Sequence, residues 1–338
     1  MTADVIVVGA GPVGLACGIE VQRLGLTALL LEKGALANSL VGYPTNMEFF
    51  STPDLLEIGD HPFPTQRYKP VREDALDYYR RVAEAEKLEI RLFEPVLRVD
   101  GADGAFEIKT AIATYTCTKL IVATGFFDVP NRLNIPGEEL AKVEHYYRDP
   151  FKYAFQNVAV IGGKNSAAKV ALECYRHGAN VTLVVRGAEI GPSVKYWIRP
   201  DLLNRIEEGA IAAYFDTTVS EITKDAIGLR TPDGPLSVPN DWVLAMTGYR
   251  PDYAFLRAVG IGAADDEART PFHDSVTFET NRMGMYLAGT VCGGLNTSRW
   301  FIENGRFHAQ QIAAHIAGRL RARRAATTTP QGPAEQAR

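Results

Sequence analysis

VIVVGAGPVGLACG, residues 5–18, is a short apolar strand that runs into a glycine-rich turn and then a helix. Gly9, Gly11 and Gly14 stand in the spacing G-x-G-x-x-G. The first glycine permits the tight turn, the second lets a pyrophosphate approach the backbone, and the third lets helix and strand lie close. Backbone N–H groups at the N-terminus of such a helix hold phosphate oxygens. A lone fingerprint arises often by chance, but this one sits at the right strand–helix junction. Glu32 follows at the end of the next apolar stretch, 27–31. A carboxylate there accepts hydrogen bonds from ribose hydroxyls, so the expected ligand is FAD or NAD; the alternative is a solvated strand-end charge. The position at the start of the chain, with Thr-Gly strand ends later on, favours FAD.

VAVIGGKNSAAKVA, residues 158–171, repeats the pattern. The turn Gly162-Gly163-Lys164-Asn165-Ser166-Ala167 departs from G-x-G-x-x-A because Lys164 replaces the middle glycine. One reading is a degenerate repeat that binds nothing. The other is a working cradle in which Lys164, Asn165 and Ser166 donate to phosphate oxygens. At the end of the following strand, VTLVVRG, the acidic position is taken by Arg186. Arginine removes the acceptor for a 2′-hydroxyl and offers a bidentate partner for a 2′-phosphate, which selects NADPH. Two dinucleotide sites in one chain imply electrons passed from one to the other.

At 338 residues the chain exceeds one ordinary domain, and 46% hydrophobic residues supply core for two. A net charge of −4 gives no electrostatic reason to expect nucleic acid. No apolar run approaches the roughly 20 residues of a membrane span. The opening MTADVIVVGAG reads as a first strand rather than a signal peptide. Cys17, Cys117, Cys174 and Cys292 are widely separated, with no Cys-x-x-Cys and no zinc-ligand spacing. The expected compartment is therefore the reducing cytoplasm.

The architecture expected is α/β, with two Rossmann-like dinucleotide-binding domains. Residues 1–127 and 244–322 form a discontinuous FAD domain, 128–243 an inserted NADPH domain, and 323–338 a disordered tail. The apolar runs 119–123 and 241–246 both end in Thr-Gly, at Thr124-Gly125 and at 247–248, and hinges belong there. Residues 38–70, rich in Pro, Gly and aromatics, are too long for a mere connector and are expected to cover a ligand. Pro12, Lys33, Tyr43, Thr45, Thr124, Gly125, Gly289 and Thr290 join the fingerprint as FAD candidates. A helix over 299–322 would aim its positive end at the flavin, or simply cap the sheet. His308 and His315 on that helix have no third ligand in view, so no metal site is expected.

The order of these parts resembles the thioredoxin-reductase-like flavoproteins. Several segments are closer still to the YpdA-type bacillithiol-disulfide (bacilliredoxin) reductases: YPTNMEFFSTPDLLEIGD at 43–60, KPVREDALDYYR at 69–80, IVATGFFDVPN at 121–131, AVIGGKNSA at 159–167, AMTGYRPD at 245–252 and FIENGRFHA at 301–309. The resemblance accounts for Lys164, since that family shows the same departure. It implies an FAD- and NADPH-dependent homodimer that reduces a small-molecule disulfide or a small redox protein without an internal dithiol. It also implies a cysteine where this chain has Val13, and Val cannot form a mixed disulfide. Cys17, one helical turn on, is the candidate catalytic substitute, and Cys292 a second; the plain alternative for each is packing. Thr290 stands where thioredoxin reductases carry Asp, an Asp that the YpdA-type sequences also lack. Two other enzyme readings stay open: a ferredoxin- or flavodoxin-NADP reductase-like electron transferase, which needs no thiol, and a flavin monooxygenase. The monooxygenase signature ending at His145 would place Phe and Gly where Glu139 and Ala141 stand. A flavin-binding scaffold without catalysis is the non-enzymatic alternative.

Overall fold

Val5–Val8 lie between Ala28–Leu31 on one side and Lys119–Val122 on the other, in parallel register throughout. A strand flanked by parallel partners is buried on both faces, so it reads as a continuous apolar run instead of an alternating one. Val5, Ile6 and Val7 are accordingly fully buried. The computed structural model describes residues 2–45 and 47–328, apart from the side chains of 323–328. These residues divide into two units. The first takes the chain up to Val41, Glu48–Asp128, and the chain from Pro251 onward; the second takes Gly42–Met47 and Val129–Arg250.

In the first unit the parallel strands run in the order Glu89–Arg91, Ala28–Leu31, Thr2–Val8, Thr114–Val122, Met285–Leu287. Besides Thr2–Val8, Thr114–Val122 serves two neighbours on its other edge. Its first half pairs antiparallel with Ala105–Thr110, and its last three residues pair in parallel with Met285–Leu287. The helix Pro12–Arg23 follows the first strand directly. The region expected as one helix from 299 to 322 is broken. A turn over Ile302–Gly305 comes first, with Asn304 Oδ1 accepting the Phe301 N–H at 2.7 Å, and the long helix begins only at His308. That long helix continues to Thr328, into the stretch expected as a disordered tail from 323. The rest of the expected tail, 329–338, lies outside the described residues.

The second unit has its own parallel sheet, in the order Ala212–Tyr214, Asn180–Val184, Asn157–Ile161, Trp242–Ala245, Val143–Glu144. Asn165–Arg176 is the helix after its glycine turn. Trp242–Ala245 pairs with Val158–Ile161, so this strand belongs here and not, from residue 244, to the first domain. The crossing comes after Arg250, later than the expected 243. Val129–Pro130 and Tyr249–Arg250 pair as a two-stranded antiparallel ribbon, so the chain enters and leaves this unit side by side. No helix among the described residues is long and apolar enough to cross a membrane.

Candidate functional site

The three glycines of the first turn are required for different reasons. A Cβ on Gly9, whose φ is +105°, would stand 2.6 Å from the Ala123 carbonyl oxygen, and one on Gly14 would stand 2.0 Å from that of Gly9. Both close approaches are internal to the fold. A Cβ on Gly11 would meet nothing within 4 Å. Open space at that one position, at the start of a helix with Pro12 in its first turn and no acidic residue there, is the space a pyrophosphate fills. The turn therefore fits the diphosphate of a dinucleotide.

Glu32 is 6% exposed. Its Oε2 accepts the Ala10 N–H at 2.8 Å and its Oε1 the Gly34 N–H at 3.0 Å. Burial raises its pKa, and the two backbone donors oppose that rise. A carboxylate has about four acceptor sites, so two bonds to the backbone leave capacity for ribose hydroxyls. The solvated-charge alternative does not hold: Glu32 braces the turn that it was expected only to follow. Lys33 pairs with Asp128 at 2.7 Å.

Val13, Gly125, Gly289 and Thr290 come together around this turn. Gly289 has φ +79°, and a Cβ there would lie 3.1 Å from the Cβ of Val13. Gly125 has φ +69°, and a Cβ there would lie 3.5 Å from Thr290 Oγ1. Thr124 and Gly125 follow the strand Thr114–Val122, beside Gly9. Tyr43 and Thr45, expected among the FAD residues, lie in the segment that groups with the second unit, where the Thr45 N–H donates to Arg148 O at 2.8 Å.

In the second turn Gly162 has φ +141°, and a Cβ there would lie 2.5 Å from Met246 O. Lys164 caps the helix at φ −107°, ψ −174°, an extended conformation open to any residue. Gly11 caps the first helix in the same extended region, at φ −73°, ψ 176°. Glycine at this position is thus a matter of space and not of backbone conformation, and Lys164 introduces no strain. Lys164, Ser166 and Arg186 are exposed. Asn165 is otherwise engaged: its Nδ2 donates to Ser193 O at 3.0 Å and its Oδ1 accepts the Lys195 N–H at 2.9 Å. It ties a loop to the turn, where a phosphate donor was expected.

Cys17 and Cys292 are both fully buried, and burial pushes each thiol above the ordinary range. Activated cysteines show the opposite, a lowered pKa and partial exposure. The packing alternative describes both residues in this structure. His145 is buried too, its Nε2 3.2 Å from Glu138 Oε1. Among the described residues no three His, Cys, Asp or Glu side chains group to hold a metal ion. His308, considered in the sequence only as a metal ligand, is 2% exposed and its Nδ1 accepts the Gly289 N–H at 3.1 Å. Its place in FIENGRFHA was the only signal, because the strand end it touches lies 19 residues away.

Residues 6–289 match the family described as pyridine nucleotide-disulphide oxidoreductase. Bacilliredoxin reductase Bdr of Bacillus subtilis (strain 168) is 43% identical over 316 residues, which cover 93% of this chain and 97% of that protein. The solved structure of bacillithiol disulfide reductase Bdr (YpdA) from Bacillus cereus is 41% identical with a TM-score of 0.92, covering 94% of this chain and 100% of that one. Its counterpart from Staphylococcus aureus is 39% identical with a TM-score of 0.92, at 94% and 99% coverage. The expected α/β class with two Rossmann-like domains is borne out, and the protein is a flavin-dependent oxidoreductase. The chain belongs to the pyridine nucleotide-disulphide oxidoreductase family and, within it, to the Bdr (YpdA) group of thioredoxin-reductase-like flavoproteins.

Proposed function

We propose that the chain is an FAD- and NADPH-dependent reductase whose acceptor is a low-molecular-weight thiol disulfide, such as bacillithiol disulfide, or a small bacilliredoxin-like protein. The observation that carries the reading is the contrast between the strand-end residues of the two glycine turns. Glu32 is buried and bonded to the first turn, whereas Arg186 is exposed at the equivalent strand end of the second. The first combination suits an unphosphorylated ribose and the second a 2′-phosphate. The relatives' names, bacilliredoxin reductase and bacillithiol disulfide reductase, support the acceptor class.

Bound together, the two dinucleotides supply hydride transfer from nicotinamide to flavin and two-electron reduction of the acceptor. The chain's part is to bind and orient them. Gly9–Gly14 present backbone N–H groups to the FAD diphosphate, with Gly11 leaving the room. Glu32 holds Ala10 and Gly34 in place and meets the ribose. Gly162–Gly163 with Lys164 and Ser166 take the NADPH diphosphate, and Arg186 takes its 2′-phosphate. A homodimer in a reducing compartment completes the proposal.

A specific observation favours a second reading. Val13 fills the turn beside Gly289, and both nearby thiols are buried. An electron transferase that passes electrons to a ferredoxin or flavodoxin needs no thiol. An anaerobic screen of bacillithiol disulfide, a bacilliredoxin, ferredoxin, flavodoxin and oxygen as oxidants of the NADPH-reduced protein separates the two. Rapid turnover with either disulfide partner supports the first reading. Turnover with ferredoxin or flavodoxin alone replaces it with the second.

A further inference from the structure

The turn Gly289–Gly293 is a short 3-10 helix, and the first N–H groups of any helix lack partners within it. Such donors are usually satisfied by a Ser, Thr, Asp or Asn side chain at the N-cap. Here the N-cap is Ala288, which has no side-chain acceptor. The acceptor comes from another element. His308, at the first position of the long helix, offers Nδ1 to the Gly289 N–H at 3.1 Å.

Several features hold the imidazole to this task. Its ring stacks on Phe278, with centroids 4.0 Å apart and planes 23° apart, and meets Trp300 edge-on at 4.3 Å. Nδ1 must be unprotonated to accept, so the proton of the neutral ring resides on Nε2. Burial, aided by the charges of His273 and Arg299, lowers the pKa of His308 to about 4, which keeps the ring in that neutral form. Nε2 is buried and has no hydrogen-bond partner among the described residues. Orphaning a buried donor is costly, and a group for which that cost is tolerated calls for an explanation. A leucine of similar bulk would avoid it.

The turn that His308 holds is crowded on its other sides. Beyond Val13 at the Cβ position of Gly289, a Cβ on Gly305 would lie 3.3 Å from Gly289 Cα. The residue after Gly289 is Thr290, whose hydroxyl faces Gly125 at the end of the neighbouring strand. A shift of the Gly289 backbone would therefore move Thr290 relative to Gly125, and press on Val13 inside the fingerprint turn.

We propose that His308 is a positioning residue for the flavin: by accepting the Gly289 N–H it sets the 289–290 turn against Val13 and Gly125, and so shapes the FAD site without touching FAD. The inference rests on the assignment of FAD to this unit.

The test compares the parent with His308→Leu, which keeps bulk and loses the acceptor, and His308→Gln, which keeps an acceptor oxygen. Each is freed of flavin, and three quantities are measured: the FAD dissociation constant, the visible spectrum of bound FAD, and thermal unfolding of the apoprotein. Loss of a buried hydrogen bond used for positioning predicts about tenfold weaker FAD binding in His308→Leu, a shifted flavin band, and partial recovery in His308→Gln. A parent that takes up no FAD sinks the functional reading itself. A parent that binds FAD, with His308→Leu matching its affinity and spectrum, overturns the inference alone. If His308→Leu does not fold, His308→Met, which also lacks the acceptor, decides: unchanged FAD affinity and spectrum with lowered apoprotein stability assign His308 a structural role and likewise overturn it.

Discussion

The Glu32 carboxylate accepts the Ala10 N–H at 2.8 Å, joining the end of the second strand to the turn after the first. One side chain thus supports the glycine turn from within and stands at the position proposed for the ribose. Replacing it by Gln leaves only one acceptor oxygen for two backbone donors. Glu32→Gln is expected to lose about 1–3 kcal/mol of apoprotein stability. Urea unfolding of the apoprotein and an FAD titration measure the two roles separately, and both should weaken.

Gly11 and Gly14 should respond to alanine in opposite ways. A methyl group at Gly11 enters open space, so Gly11→Ala should leave apoprotein unfolding unchanged and impair FAD uptake. A methyl group at Gly14 would meet the Gly9 carbonyl at 2.0 Å. That overpacking against backbone should cost about 3 kcal/mol or more, with or without FAD. Equal effects of the two substitutions on apoprotein stability would contradict the assignment of Gly11 to the ligand.

Arg186→Ala removes the exposed cation proposed for the 2′-phosphate. A charge-assisted bidentate contact contributes about 1.5–3 kcal/mol, or roughly 10–100-fold in affinity. NADPH should bind that much more weakly while NADH is little affected, as read by the concentration dependence of anaerobic flavin reduction. Retained preference for NADPH would remove Arg186 from the site.

His308 titrates at about 4 in the folded protein against an ordinary 6.5. As pH falls through this window the unfolded chain takes up the proton first, so stability is full above 6.5 and declines towards 4. The shift corresponds to at most about 3–4 kcal/mol. The Coulombic influence of His273 and Arg299 adds to burial in opposing protonation of the ring. Denaturant midpoints between pH 7 and 4 should fall less steeply in His308→Gln than in the parent; parallel curves would exclude His308 as a source of the decline.

Much of the site was legible because it depends on local chemistry. A glycine turn between an apolar strand and a helix declares itself within about ten residues, and Arg186 ends the very next strand. What escaped depends on contacts between distant segments. Trp242–Ala245 reads as a buried strand either way, and only its pairing with Val158–Ile161 puts it in the second unit. Tyr43 and Thr45 sit in an aperiodic stretch whose grouping no local signal specifies. The Asn304 side chain captures the Phe301 N–H and starts a separate helical turn at Ile302, in a stretch with an apolar stripe that suits one continuous helix. The second role of Glu32 was hidden for the same reason, since 22 residues separate it from Ala10.

The proposed function routes electrons from NADPH to a bound flavin and on to a disulfide. Its most direct measurement is an anaerobic titration of the FAD-loaded protein, first with NADPH and then with bacillithiol disulfide, followed in the visible spectrum. NADPH should bleach the flavin well before NADH, and the oxidised bands should return on adding the disulfide. A protein that takes up no FAD, or a bleached flavin that only ferredoxin, flavodoxin or oxygen restores, would contradict the proposed function.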